Sequence, residues 1–162
     1  MRPGGACHYP VRMATLVLEE LNARNIAAAH SLSLKQGQER FVAPLSYAMA
    51  EPFVNQATTW PRVVLEDGTV VGFIMGNFDP DADREEFRCC IWRINVAADA
   101  QGHGVGRFAV EQLADEARRR GFDRVTVIWE PGELGPEEFF LRLGFTPIGE
   151  TEYGEVLAAL PL

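Results

Sequence analysis

Gln101-Gly102-His103-Gly104-Val105-Gly106 lies between an apolar run, Cys90-Ile91-Trp92-Arg93-Ile94-Asn95-Val96, and an amphipathic segment over residues 107–120. Three glycines at alternate positions stand where a strand would turn into a helix. Such a turn leaves backbone N–H groups uncovered at a helix N-terminus, where the helix dipole favours an anion. On the pattern alone two readings stand: a tight strand–helix turn with no ligand, and a cradle for a diphosphate. The stretch is not a P-loop, because no Gly-Lys-Ser/Thr follows it. It is also a poor dinucleotide fingerprint, because its strand is not the first of the chain and no second β–α–β half follows.

Upstream of the turn, residues 15–21 predict a strand, and residues 25–34 a helix with Asn25 as its N-cap. Pro44 and Pro52 bracket a short helical piece at residues 45–50. Residues 60–65 and 70–78 read as two strands around Glu66-Asp67-Gly68-Thr69, whose Asp-Gly pair is a two-residue hairpin signal. Residues 87–96 form a long, mostly apolar strand. Downstream, residues 104–120 are helical, with Val105, Phe108, Ala109, Leu113 and either Glu116 or Ala117 along one stripe. Arg118, Arg119 and Arg120 close that helix where its dipole favours cations, and Gly121 stops it; the Arg run therefore needs no phosphate ligand. Residues 124–129 predict a buried strand, 136–143 a helix ended by Gly144, and 145–148 and 155–160 the last strands. The order predicts a mixed α/β (α+β) domain in which a hairpin meander feeds one β–α–β unit.

A chain of 162 residues points to one domain with a core of useful size. Residues 1–12 carry Pro3, Gly4, Gly5 and Pro10 and no apolar h-region, so they read as a disordered extension rather than a secretory signal, leaving residues 13–162 as the domain. No apolar run reaches the roughly 18 residues of a membrane span. The net charge of −8 argues against nonspecific nucleic-acid binding and permits a small cationic partner. Cys7, Cys89 and Cys90 match neither a zinc pattern nor a disulfide framework, and fit a reducing, cytoplasmic setting. Core packing is the better reading of Cys90 than nucleophilic catalysis. Asp79, Asp81 and Asp83 alternate as calcium ligands do, but no bidentate Glu follows at the right distance, so no metal site is expected.

Gln101-x-x-Gly104-x-Gly106 resembles the acetyl-CoA pyrophosphate loop of the GNAT superfamily of N-acetyltransferases, and Phe139-Phe140-Leu141-Arg142-Leu143-Gly144-Phe145 resembles that superfamily's late helix. The resemblance covers about residues 13 to 162. It is closest to bacterial spermine/spermidine (diamine) acetyltransferases, through Arg40-Phe41-Val42-Ala43-Pro44, Val71-Gly72-Phe73-Ile74-Met75, Asp79-Pro80-Asp81, Trp92-Arg93-Ile94, Trp129-Glu130-Pro131 and Gly149-Glu150-Thr151-Glu152-Tyr153-Gly154-Glu155. It implies a central twisted, mostly antiparallel sheet with a splayed β–α–β acetyl-CoA site, and transfer of an acetyl group to a primary amine of a polyamine-like or other small cationic acceptor. A homodimer is common among similar proteins.

The resemblance also implies where the chemistry lies. Amides of Gln101, Gly102, His103, Gly104, Val105 and Gly106 would hold the pyrophosphate, with His103 and Arg107 near it or in a solvated loop. The strand edge at Ile94, Asn95 and Val96 would pair with the pantetheine amides as an added strand does, and an N–H near Val96 would polarise the thioester carbonyl. Direct attack needs the ammonium, of pKa about 10, to lose a proton. Many relatives protonate the leaving thiolate with a Tyr four residues before the Gly of Leu-Gly-Phe; Phe140 stands there and has no proton to give. Glu133 stands where relatives often carry Asn. Three explanations stay open: the thiolate leaves without an acid, Tyr153 or Tyr47 substitutes, or the chain has another acyl-transfer or a non-catalytic role. Glu130, Glu39, Tyr47 and Trp92 are the expected acceptor-side residues, with Glu130 also a catalytic candidate; Trp92 and Trp129 divide between pocket and core. The competing functions are acylation of a natural-product or antibiotic amine, and acyl-CoA binding without turnover.

Overall fold

The computed structural model describes residues 14–42, 50, 52 and 54–162. The expected N-terminal extension, Cys7, nearly all of the helical piece at residues 45–50, and Tyr47 lie outside the described residues. Seven strands form one sheet in the order β1-β2-β3-β4-β5-β7-β6: β1 Leu16–Glu20, β2 Thr59–Glu66, β3 Thr69–Phe78, β4 Cys89–Val96, β5 Arg124–Trp129, β6 Thr146–Glu150 and β7 Val156–Pro161. Every neighbouring pair is antiparallel except β4 and β5. The β2–β3 hairpin turns as read, with Asp67 at φ 47° and Gly68 at φ 86°, the two left-handed positions of a turn whose twist matches the strands.

Helix α1 is Ile26–His30, half the length expected from periodicity. Asn25 does not cap it. The Asn25 side chain instead accepts the Asn22 N–H at 2.8 Å and donates to the Glu20 carbonyl at 2.9 Å, which knits the end of β1. The Ser31 hydroxyl donates to the Ala27 carbonyl at 2.9 Å, a local bond that competes with helix continuation. The chain is then drawn out so that the Ser33 carbonyl accepts the Ala98 N–H at 2.7 Å.

Helix α2, Val105–Arg119, buries Val105, Ala109, Val110, Leu113, Ala114 and Ala117 against the sheet. Val110 and Ala114 widen the stripe read from the sequence, while Phe108 is only partly buried. Full burial of Leu113 contributes about 1.5–3 kcal/mol. The closing arginines are held by the helix's own carboxylates: Arg118 to Asp115 at 2.7 Å, Arg119 and Arg120 to Glu116 at 2.6 and 2.8 Å. Those hydrogen bonds, Arg119's first, hold the Glu116 carboxyl below its ordinary pKa. The opposite face of the sheet carries Ala29 of α1 packed with Val63, Phe73 and Met75. Helix α3 is Glu137–Arg142.

Cys89 and Cys90 are buried free thiols, and desolvation pushes both up to about 12. Such thiols are neutral at working pH and pack as small apolar groups. Iodoacetamide at pH 8 should therefore label them roughly a thousandfold more slowly in the native protein than after unfolding. Mass spectrometry of quenched samples checks this; rapid native labelling at Cys90 would restore it as a candidate nucleophile.

Candidate functional site

Strands β4 and β5 pair in parallel through Cys90 and Thr126, and then separate. The cause lies on the other side of β4. Met75 pairs with Arg93 but the next β3 residue, Gly76, pairs with Ile91, so Trp92 is an extra residue opposite no partner. A bulge of this kind bends its strand and increases its twist, which parts β4 from β5 beyond the pair. The Ala97 N–H bonds to the Val71 carbonyl at 2.8 Å. Alternation along an antiparallel ladder then turns the backbone groups of Ile94 and Val96 away from β3, toward the opening. The Val96 carbonyl is met there by the Gln101 side chain, whose Nε2 donates at 3.0 Å.

A cleft of about 570 Å³ lies along the β4 side of the opening. Of the residues read as a cofactor site, Ile94, Asn95, Val96, Gln101, Gly102, Gly104, Gly106 and Arg107 line it. His103 is exposed and outside the lining. Val105 turns inward, 1% exposed, because it packs against Gly72 on β3. Gly104 precedes the first helical residue at φ 89°, a conformation that L side chains resist, and this reversal points the first amides of α2 at the cleft. Gly106 is required for space: a Cβ there would stand 2.8 Å from the Phe139 ring.

Two stretches that carry the resemblance, residues 40–44 and 139–145, reach the rest of the wall through Phe41, Val42, Phe139, Arg142 and Leu143, whereas Leu34, Lys35, Gln38 and Leu134 are not singled out by the sequence. The segment Leu34, Lys35, Gln38, Phe41 and Val42 forms one side, and Leu134, Phe139 and Arg142 stand on the other. Phe41 lies against Gly132 and Gly135, and Leu134 against Gly37, so the two sides meet over the cleft. Gln38 and Gln101 exchange both side-chain hydrogen bonds, at 3.0 and 2.8 Å. No sequence spacing links residues 63 positions apart; the sole local hint was Gly37, at φ 91°, within a stretch of no clear period. Removing the pair with Gln38→Ala leaves the Gln101 amide half satisfied, and each such bond contributes about 1 kcal/mol. The expected result is a KM for acetyl-CoA about 3- to 10-fold higher with kcat little changed, read from initial rates.

The remaining expected residues are placed elsewhere. Phe140 is 3% exposed and lies in the core, stacked on Trp129 with ring centroids 5.5 Å apart and edge-on to Phe145; its neighbour Phe139 faces the cleft instead. Trp129 is thus a core residue, while Trp92, on the bulge, is 39% exposed beside Phe87. Glu130 and Glu133 are exposed and outside the cleft lining. Glu39 accepts the Gly37 N–H at 2.9 Å, a local turn contact. Tyr153 is 81% exposed in the β6–β7 turn and is not among the lining residues.

Charge at the cleft runs against the charge of the chain. Lys35, Arg107 and Arg142 line it with Glu138, in a protein of net charge −8. Arg107 is 3.9 Å from Glu111 and Arg142 pairs with Glu138; both pairs are exposed and leave the cations open to an incoming anion. Among the described residues no group of His, Cys, Asp and Glu could hold a metal ion, and no helix is long and apolar enough to cross a membrane.

A seven-stranded, mostly antiparallel sheet opened between its fourth and fifth strands, with a glycine turn and a helix at the opening, is the GNAT fold. The family model described as Acetyltransferase (GNAT) family matches residues 26–145, and the chain belongs to that family, which uses acetyl-CoA. Over 81 residues it is 33% identical to the L-2,4-diaminobutyric acid acetyltransferase of Virgibacillus pantothenticus, covering 50% of this chain and 49% of that protein; the match spans about half the length of that curated relative. Two solved structures share the fold at a TM-score of 0.70. One is the PaiA N-acetyltransferase of Thermoplasma acidophilum in complex with coenzyme A, 9% identical over 91% of this chain and 99% of that one. The other is the GNAT domain of S. lividans PAT, 19% identical over 95% and 99%.

Proposed function

We propose that this protein transfers the acetyl group of acetyl-CoA to a primary amine of a small, polyamine-like cationic acceptor by direct attack. The observation that carries the reading is the convergence on one cleft of the α2 amides, the outward backbone groups of Ile94 and Val96, and the cations Lys35, Arg107 and Arg142. A diphosphate suits the helix terminus and the cations. The pantetheine amides suit the open strand edge, as a strand added to the sheet would. The Val96 N–H, which shares that edge, is a donor for the thioester oxygen as charge develops on it.

Phe140 has no hydroxyl and Tyr153 is out in a turn, which favours departure of an unprotonated thiolate, a fair leaving group at a thiol pKa of about 8.5; Tyr47, the other candidate acid, lies outside the described residues. The diaminobutyrate enzyme named above acts on a diamine, which supports a short diamine acceptor for this chain. The deciding measurement is thiol release from acetyl-CoA with a panel of 2,4-diaminobutyrate, spermidine and an aminoglycoside. Turnover is expected with 2,4-diaminobutyrate and with spermidine and should weaken as added salt screens the cations. Binding of coenzyme A with no turnover across the panel, or turnover with the aminoglycoside alone, overturns the acceptor assignment.

A further inference from the structure

Asn95 is 6% exposed, lines the cleft, and its Oδ1 is buried with no hydrogen-bond partner. An acceptor atom left bare in a protein interior is costly, and one that also lines a cleft is open to completion by a ligand. The direction of the side chain says which ligand. Asn95 pairs with Phe73 across the β3–β4 ladder, and directly opposed residues share a face. Phe73 packs with Ala29, Val63 and Met75 on the α1 face. The neighbours Ile94 and Val96 pack with the other cluster, under α2, whose N-terminal amides form the anion cradle. Side chains stand perpendicular to a sheet, whereas a chain laid along the strand edge lies in its plane. The bare oxygen therefore faces away from the cradle, onto the side from which the second reactant must reach the opening.

We propose that the Asn95 carboxamide oxygen accepts an N–H of the acceptor amine and so aims the nitrogen lone pair at the thioester; this rests on the acetyltransfer reading above. The ammonium first loses one proton to solvent. The lone pair then forms the C–N bond, the C–S pair leaves with sulfur, the attacking nitrogen loses a second proton, and the thiolate takes one up, so one proton is released per turnover. A primary amine keeps one hydrogen on nitrogen throughout, and that hydrogen stays on Asn95 into the product amide. A secondary amine must lose its single hydrogen, so Asn95 selects primary over N-methylated amines.

Asn95→Leu removes the bare oxygen at similar volume, with Asn95→Ala as the second variant. The melting temperature of Asn95→Leu should hold or rise. Calorimetric titration of the amine into the coenzyme A complex, and KM for the amine, should both weaken about 10- to 100-fold, the range for a hydrogen bond to a charged or polarised partner. KM for acetyl-CoA should stay within about twofold, and the preference for primary over N-methylated amine should collapse. Unchanged amine affinity in both variants overturns the proposal, as does a loss confined to acetyl-CoA, which would assign the oxygen to a pantetheine amide. If the wild-type protein itself turns over no amine, the acetyltransfer reading fails first and takes this proposal with it; wild-type turnover with an indifferent Asn95→Leu sinks this proposal alone.

Discussion

Gly104→Glu is expected to leave the protein folded and to weaken coenzyme A binding by about a thousandfold. The position tolerates atoms: a Cβ built there meets nothing within 4 Å, so the substitution does not disturb the core. Its backbone does resist a side chain, because φ is 89°, and a non-glycine residue in that region costs about 1–2 kcal/mol. The larger effect is electrostatic. A carboxylate at the start of α2 would stand at the proposed diphosphate site, and two like charges about 4 Å apart near a protein surface repel by about 4 kcal/mol, which is close to three powers of ten in affinity. Gly104→Ala carries the backbone cost without the charge and should lose about tenfold. Calorimetry with coenzyme A, paired with thermal melts, separates the two. Tight binding by Gly104→Glu would remove the glycine turn from the site.

The second large effect is on stability. Phe140→Ala should destabilise the protein by about 3–5 kcal/mol, the cost of deleting a buried aromatic ring, and lower the melting temperature by roughly 8–16 °C for a chain of this size. The ring is flanked by Trp129, Phe139 and Phe145, with centroids 5.0–5.5 Å away, too crowded for collapse to close the void. Because Phe139 also packs against Gly106, loss of Phe140 loosens the wall of the cleft, and KM for acetyl-CoA should rise with the loss of stability. Phe140→Tyr is the diagnostic companion. A hydroxyl in this packed position should lower the melting temperature and leave kcat within about twofold. A several-fold gain in kcat would instead show that protonation of the thiolate limits the rate.

How much of this was legible beforehand depends on the range of the interaction. The glycine turn, the Asp67-Gly68 hairpin and the stop of α2 at Gly121 are dictated within a few residues by φ and the helix dipole and are found as read, while the periodic stripe of α2 is found wider, with Val110 and Ala114 added. Asn25 shows where local reading fails. Its type suits a cap, but its carboxamide is taken up by the Asn22 N–H and the Glu20 carbonyl at the end of β1, while the helix stops early at its other end, where the Ser31 hydroxyl bonds to the Ala27 carbonyl. Phe140 shows another limit: position in a motif places a residue on the chain, whereas the pairing of Phe139 with the cleft and of Phe140 with Trp129 follows from how α3 is rotated against the sheet.

The sequence by itself determined the family, the strand–turn–helix element and the absence of an acid at position 140, because each is written in contiguous residues. The opening between β4 and β5 comes from a register slip at Trp92, and strand register is not visible in one strand alone. The Gln38–Gln101 pair and the bare oxygen of Asn95 likewise exist only once distant segments are packed, since neither a partner nor its absence is a property of a residue on its own. The tertiary structure therefore decided what surrounds the turn of residues 101–106: a bent strand, a wall carrying Lys35, Arg107 and Arg142, and an unsatisfied carboxamide oxygen on the α1 side of the sheet.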